Sequence, residues 1–110
     1  MEAFIQSLQT KSAALAKQAA ELRGQDKGDE AVFCTVRANV YDICATVCRV
    51  HLDRGNVSAA EAILARFENE WSAALENARR RDDAKGVCVG EAKLEALCDV
   101  RARFAAVRCE

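Results

Sequence analysis

The chain has no proline, five glycines and one histidine in 110 residues. Proline breaks a helix by removing a backbone donor and clashing with the preceding turn, so without it nothing forces the chain to bend often. Glycines this sparse leave no phosphate-cradling Gly-x-Gly-x-x-Gly or Walker loop, and the Gly-x-Ser-x-Gly elbow and the His-Glu-x-x-His helix are missing too. The single histidine, His51, excludes a multi-histidine metal centre and the paired Glu-x-x-His pattern of di-iron bundles. An excess of one charge is also lacking, since 16 Lys and Arg stand against 17 Asp and Glu, a net charge of −1. Cut after Gly55, the first part holds seven residues of each sign and the second nine basic against ten acidic. Neither part carries the basic field that gathers nucleic acid or an anionic membrane. No run approaches the ~20 consecutive apolar residues that span a bilayer. The opening Met1-Glu2-Ala3-Phe4-Ile5-Gln6 places no basic segment ahead of an apolar one. The expectation is a cytoplasmic protein that binds neither nucleic acid nor membrane.

What is present favours helix. Ala, Leu, Glu, Arg and Lys, the strong helix formers, are abundant, and the length suits a single domain over residues 1–110. A chain of this size buries roughly 65% of the surface its unfolded form exposes, so a core can form without a metal or disulfide staple, and no cofactor is called for. Six cysteines in a protein expected in a reducing compartment read as thiols or metal ligands and not as bridges.

The apolar spacing predicts an all-α, antiparallel up-down bundle of about four helices, over approximately 2–23, 29–53, 58–81 and 84–108. In the first, Ile5, Leu8, Ser12, Leu15, Ala19 and Leu22 recur every three or four residues, with Gly24 as a stop and many alanines that slim the helix. In the second, Asp26 or Asp29 is expected to cap the start and Gly55 to end it. Phe33, Val36, Val40, Ile43, Val47 and Val50 form its unbroken stripe, with Tyr41, Cys44, Cys48, His51 and Leu52 on a flank. So wide an apolar circumference places this helix at the centre, against several neighbours or a partner chain. The β-branched run Ile43 to Leu52 would also suit a strand, but the repeat extends beyond a strand's length.

Ser58-Ala59-Ala60-Glu61 has the form of a capping box for the third helix, stapled by Val57. Ala60, Leu64, Phe67, Trp71, Ala74 and Ala78 are its expected core face, and Arg79-Arg80-Arg81 complement its C-terminal dipole. Asp82 and Asp83 are cap candidates for the fourth, whose apolar positions include Val87, Leu94, Leu97, Cys98, Phe104 and Ala105. Leu52-Asp53-Arg54-Gly55-Asn56-Val57, followed by Ala59 and Ala62, resembles the turn between the two helices of a tetratricopeptide hairpin. That resemblance, over about twenty residues, implies helical hairpin packing and a protein-binding role. A second copy is not found, because the ~34-residue period projected from Gly55 lands on Val89, one short of Gly90.

Chemistry concentrates on the cysteines. Cys34, Cys44 and Cys48 share one helix, and Cys88, Cys98 and Cys109 another. Cys44, Cys48 and His51 lie at i, i+4 and i+7, so three ligands suited to zinc or a softer metal point the same way. A cysteine is also a small apolar filler, and the tight Cys-x2-Cys knuckles of structural zinc are absent. Cys109, next to the end, is a candidate for an intermolecular disulfide in air. Glu68 with Glu70, and Glu91 with Glu95, are the closest carboxylate pairs; with Lys93 and several arginines nearby they suit a solvated face better than acid–base work. The sequence therefore leads to a non-catalytic interaction or scaffolding protein, self-associating or binding a protein partner through leftover apolar helix surface. The alternative is a thiol-based metal-binding or redox-sensing protein using Cys44, Cys48 and His51.

Overall fold

The computed structural model describes residues 1–108; the expectation for Cys109 lies outside the described residues. Four helices, α1 (Glu2–Gly24), α2 (Gly28–Leu52), α3 (Val57–Arg80) and α4 (Ala84–Arg108), make up nearly all of it, and the described residues contain no strand. Each boundary falls within one residue of that expected from the sequence, and Ile43 to Leu52 is helical.

The three connections share one geometry. The turn after each of the first three helices contains a residue with positive φ: Asp26 (60°), Gly55 (70°) and Asp82 (52°). In each case the next amide returns to a carbonyl five residues back, as Lys27 N to Leu22 O (2.9 Å), Asn56 N to His51 O (2.9 Å) and Asp83 N to Ala78 O (2.9 Å). This pattern satisfies carbonyls the helix leaves open, and it dictates that the following residue becomes the cap of the next helix. The rule corrects two expected caps. Asp26 is held in the left-handed conformation and Asp29 already lies inside α2, so Lys27 takes the cap position and supplies no side-chain bond. Asn56, directly after Gly55, caps α3 by accepting from Ala59 N at 3.0 Å, which leaves Ser58 within the first turn and the capping box unformed. Asp83 does cap α4, its Oδ1 accepting from Gly86 N at 3.0 Å.

The packing is a flattened bundle. The most extensive contacts join α1 to α2 and α3 to α4, so the Leu52–Val57 turn links two hairpins. α2 and α4 also meet each other, while the backbones of α1 and α3 do not approach closely. The 43 × 34 × 20 Å envelope is two ~10 Å helix layers thick. Phe4 and Phe104, at opposite ends of the chain, meet edge-to-face with centroids 5.4 Å apart. Around them lie Leu8, Leu64, Leu97 and Val100, at most 1% exposed. Ser12, the polar member of the α1 stripe, donates to the Ala38 carbonyl of α2 at 2.8 Å, which removes the cost of burying its hydroxyl. Gly86 and Gly90 lie within α4. A Cβ on Gly90 would approach Leu75 of α3 to 3.0 Å, so the missing side chain lets these two helices close together.

The phase of α2 differs from expectation. Its buried residues are Ala31, Cys34, Ala38, Val40, Tyr41, Cys44, Ala45 and Cys48, so the small-residue flank faces the core. Of the expected stripe only Val40 is buried; Phe33, Val36 and Val47 are partly exposed, and Ile43 and Val50 are each 48% exposed. A helix that touches three neighbours needs thin side chains on its inner side, and close packing chose volume over hydrophobicity. Smaller shifts of the same kind expose Ala74, Cys98 and Ala105, while Leu75, Ala92, Ala96 and Val100 take core positions. α2 is long and apolar enough to cross a membrane by length and composition alone, but that segment supplies the core flank just described.

Candidate functional site

The outer side of α2 carries the chain's most unusual surface. Val32, Ile43 and Val50 are, with Met1, the large hydrophobic residues most exposed among the described residues. At 100° per residue all three fall within a narrow arc, on the opposite side of α2 from Cys34, Tyr41 and Ala45. β-branched residues are stiff at χ1 and present a fixed shape, so the stripe is a firm ridge.

Beside the ridge lies a cleft of about 330 Å³ between α2, α3 and α4, lined by Val36, Asn39, Val40, Ile43, Trp71, Val89 and Lys93. Trp71, expected in the core, is half-buried. Its inner side packs on the core cluster and its ring stacks on Phe67 with centroids 5.1 Å apart and planes 5° from parallel. The Lys93 ammonium sits 5.0 Å from the Trp71 ring centroid, a cation–π contact that fixes the ring at the cleft wall. A rigid aromatic beside aliphatic ridges, with one amide and one ammonium at the rim, suits an apolar side chain from another surface. The sequence gives Val32 no role and names Val89 and Lys93 without placing them at a site. Val32 continues the Val36 and Ile43 spacing backwards by one turn, whereas Val89 and Lys93 reach the cleft only because of how α4 packs.

The second polar constellation joins three helices. Tyr41 of α2 donates its hydroxyl to Asp99 Oδ2 on α4 at 2.6 Å. Arg103 Nε donates to the same oxygen at 2.9 Å, and its Nη1 reaches Ser7 Oγ of α1 at 3.2 Å. Burial, and then the bond to Asp99, push the Tyr41 hydroxyl well above its ordinary range, so it remains a neutral donor. With Asp99 Oδ2 taken up by two donors, the arrangement ties α1, α2 and α4 together. The carboxylates paired in sequence are dispersed likewise: Glu68 pairs with Arg101, Glu70 with Arg66 at 2.9 Å, and Glu95 with Arg37 at 3.6 Å.

Of the proposed metal ligands, Cys44 and Cys48 are fully buried in the core, while His51 is half-exposed near the end of α2. Among the described residues no three His, Cys, Asp or Glu side chains gather as a metal site. Burial pushes the Cys44 thiol up to about 12, with Cys48 adding to the shift, and pushes Cys48 up to about 11. A metal ligand must be a thiolate, which this surrounding opposes. Cys34 is also buried, whereas Cys88 and Cys98 are exposed, and all five of these are free thiols. No family model, curated protein or solved structure matches the chain.

Proposed function

We propose that the chain is a small, non-catalytic protein-interaction module whose docking surface is the outer face of α2 with the cleft beside Trp71. The observation that carries this is the alignment of Val32, Ile43 and Val50 on one exposed arc of a helix whose core duties are met by its opposite side. Leaving such a stripe in water forgoes burial worth roughly 25 cal/mol per Å² of apolar area, and contiguous exposed apolar patches mark binding sites. The non-catalytic reading is supported by the same geometry: the polar groups described above are engaged with one another, within a helix as in Arg66–Glu70 or between helices as in Arg101–Glu68 and Tyr41–Asp99.

The test is site-specific photo-cross-linking in cells. A benzophenone side chain is placed at Ile43 or Val50 and, as control, at Gln18 on the exposed side of α1. Discrete adducts are expected from the two α2 positions and not from the control. Equal labelling at all three, or none, would overturn the proposal.

A further inference from the structure

Lys93 occupies a position that the core pattern reserves for an apolar residue. At 100° per residue it falls ~20° from Val100 and ~20° from Phe104, both buried, so it stands on the core-facing arc of α4. It is partly buried, and with Val89 it lines the cleft of about 330 Å³ between α2, α3 and α4. Apart from the Asn39 amide the remaining lining is hydrocarbon and indole, and no carboxylate takes part in it.

The acids of the surrounding helices are directed elsewhere. Glu91 and Glu95 lie ~160° round α4 from Lys93, and Glu95 meets Arg37. On α3, Glu68 pairs with Arg101 and Glu70 with Arg66. On α2, Asp29 lines a separate cleft beside Lys85, and Asp42 falls ~100° round the helix from Ile43. Lys93 is in no ion pair among the described residues, and the ring face of Trp71, 5.0 Å away, is its cation–π contact.

We infer that the partner of this face is an acidic segment of another protein. It seats an aliphatic or aromatic side chain against Val36, Ile43 and Trp71 and sets an Asp or Glu carboxylate on the Lys93 ammonium. This rests on the docking role proposed for the face and names the chemistry of its partner. Desolvation makes the choice. A surface that covers Ile43 and fills the cleft strips water from Lys93, and an ammonium taken out of water without an anion is costly. A carboxylate carried in with the anchor replaces that water by a charge-assisted hydrogen bond, and the Asn39 amide offers a further donor from the lining. A wholly apolar partner, or one presenting Lys or Arg, is penalised at the same point, so Lys93 selects between partners. Because anchor and ammonium share one cleft, the acid must lie close to the anchor, within about one turn if the segment is helical.

Trp71 is the chain's one tryptophan, so its emission reports occupancy of the cleft. The experiment pans a phage-displayed library of random dodecapeptides against the purified full chain in reductant, with counter-selection on the Ile43→Arg chain. Selected peptides that lack tryptophan are then titrated by Trp71 emission. They are expected to carry Asp or Glu within about four residues of an apolar anchor. Replacing that acid by its amide should weaken binding about tenfold on the wild type and hardly at all on Lys93→Met, while Lys93→Arg keeps the preference. Thermal melts check the fold of each variant, and Lys93→Gln takes the place of Lys93→Met should the latter unfold. Peptides that move Trp71 but are neutral or basic, or whose acid is indifferent to Lys93→Met, overturn the acidic partner and leave the docking role standing. A library with no peptide that moves Trp71 overturns it as well; cross-links at Ile43 and Val50 would then still carry the docking role, and their absence would remove both.

Discussion

Replacing or probing the buried thiols tests the division between core and chemistry. Cys44 and Cys48 have no exposed surface, and burial raises them from 9.0 to about 12 and about 11. At neutral pH those shifts lower the thiolate population by ~1,000-fold for Cys44 and ~100-fold for Cys48, each unit being a factor of ten. Shielding adds to this, since a reagent must wait for the fold to open. In a Cys109→Ser background, a chromogenic disulfide reagent should therefore titrate Cys88 and Cys98 at ordinary rates, and Cys34, Cys44 and Cys48 only as fast as the protein unfolds. The same shifts set a pH dependence. The unfolded thiols lose protons from about 9 upward while the folded ones keep theirs, so the stabilisation is fully present below pH 9 and is lost as pH rises towards 11 and 12. The slope reaches about 1.4 kcal/mol per pH unit for each thiol. Cys44→Ala should remove its share and leave that of Cys48, read by urea melts from pH 8 to 11, while costing about 1–2 kcal/mol at pH 7 from lost packing. Modification of native Cys44 as fast as Cys88, or one zinc per chain lost on Cys44→Ala, would refute this and bring forward the metal or redox alternative.

Other outcomes follow from the turns and the polar tie. Asp26→Gly and Asp82→Gly should each stabilise by about 0.5–1 kcal/mol in denaturant melts, because glycine adopts positive φ without the Cβ penalty, and Gly55→Ala should cost about 1 kcal/mol at its φ of 70°. Tyr41→Phe should lower stability by about 1–1.5 kcal/mol, since it removes the 2.6 Å bond to Asp99 while Arg103 still satisfies the carboxylate. Gly90→Val should cost about 1–3 kcal/mol by forcing α3 away at Leu75, visible as a lower melting temperature.

Helix positions were legible because proline is absent and each apolar repeat stops near a residue able to take positive φ. The caps were less so: a capping-box pattern at Ser58 is genuine in composition, but the left-handed Gly55 commits Asn56 to the cap two residues earlier. The face of α2 was misjudged for a related reason. Hydrophobic periodicity weights Val and Ile above Cys and Ala, yet what decides the inner face is how closely three helices approach, a tertiary property that no window along one helix contains. The sequence places Tyr41 on the flank of α2, but its Asp99 partner lies 58 residues away and leaves no local trace. The Cys44 and Cys48 juxtaposition was visible as i, i+4; their burial, which governs reactivity, was not.

The two sides of α2 thus answer to different demands, and this separates stability from association experimentally. The inner side uses Ala38, Cys44, Ala45 and Cys48 to let its neighbours close in, so enlarging any of them should lower the melting point. The valines and isoleucine outside contribute less to that packing: Ile43 and Val50 each keep about half their surface in water, so Ile43→Ser should cost only about 1 kcal/mol of folding stability. If the outer stripe were only a helix-propensity accident, polar replacements there would be silent in every assay, and helix formation would improve because β-branched residues are weaker helix formers than Gln or Lys. A substitution set such as Val32→Gln, Ile43→Gln and Val50→Gln therefore separates the two: the fold persists in both cases, but cross-links are lost only where the stripe serves binding.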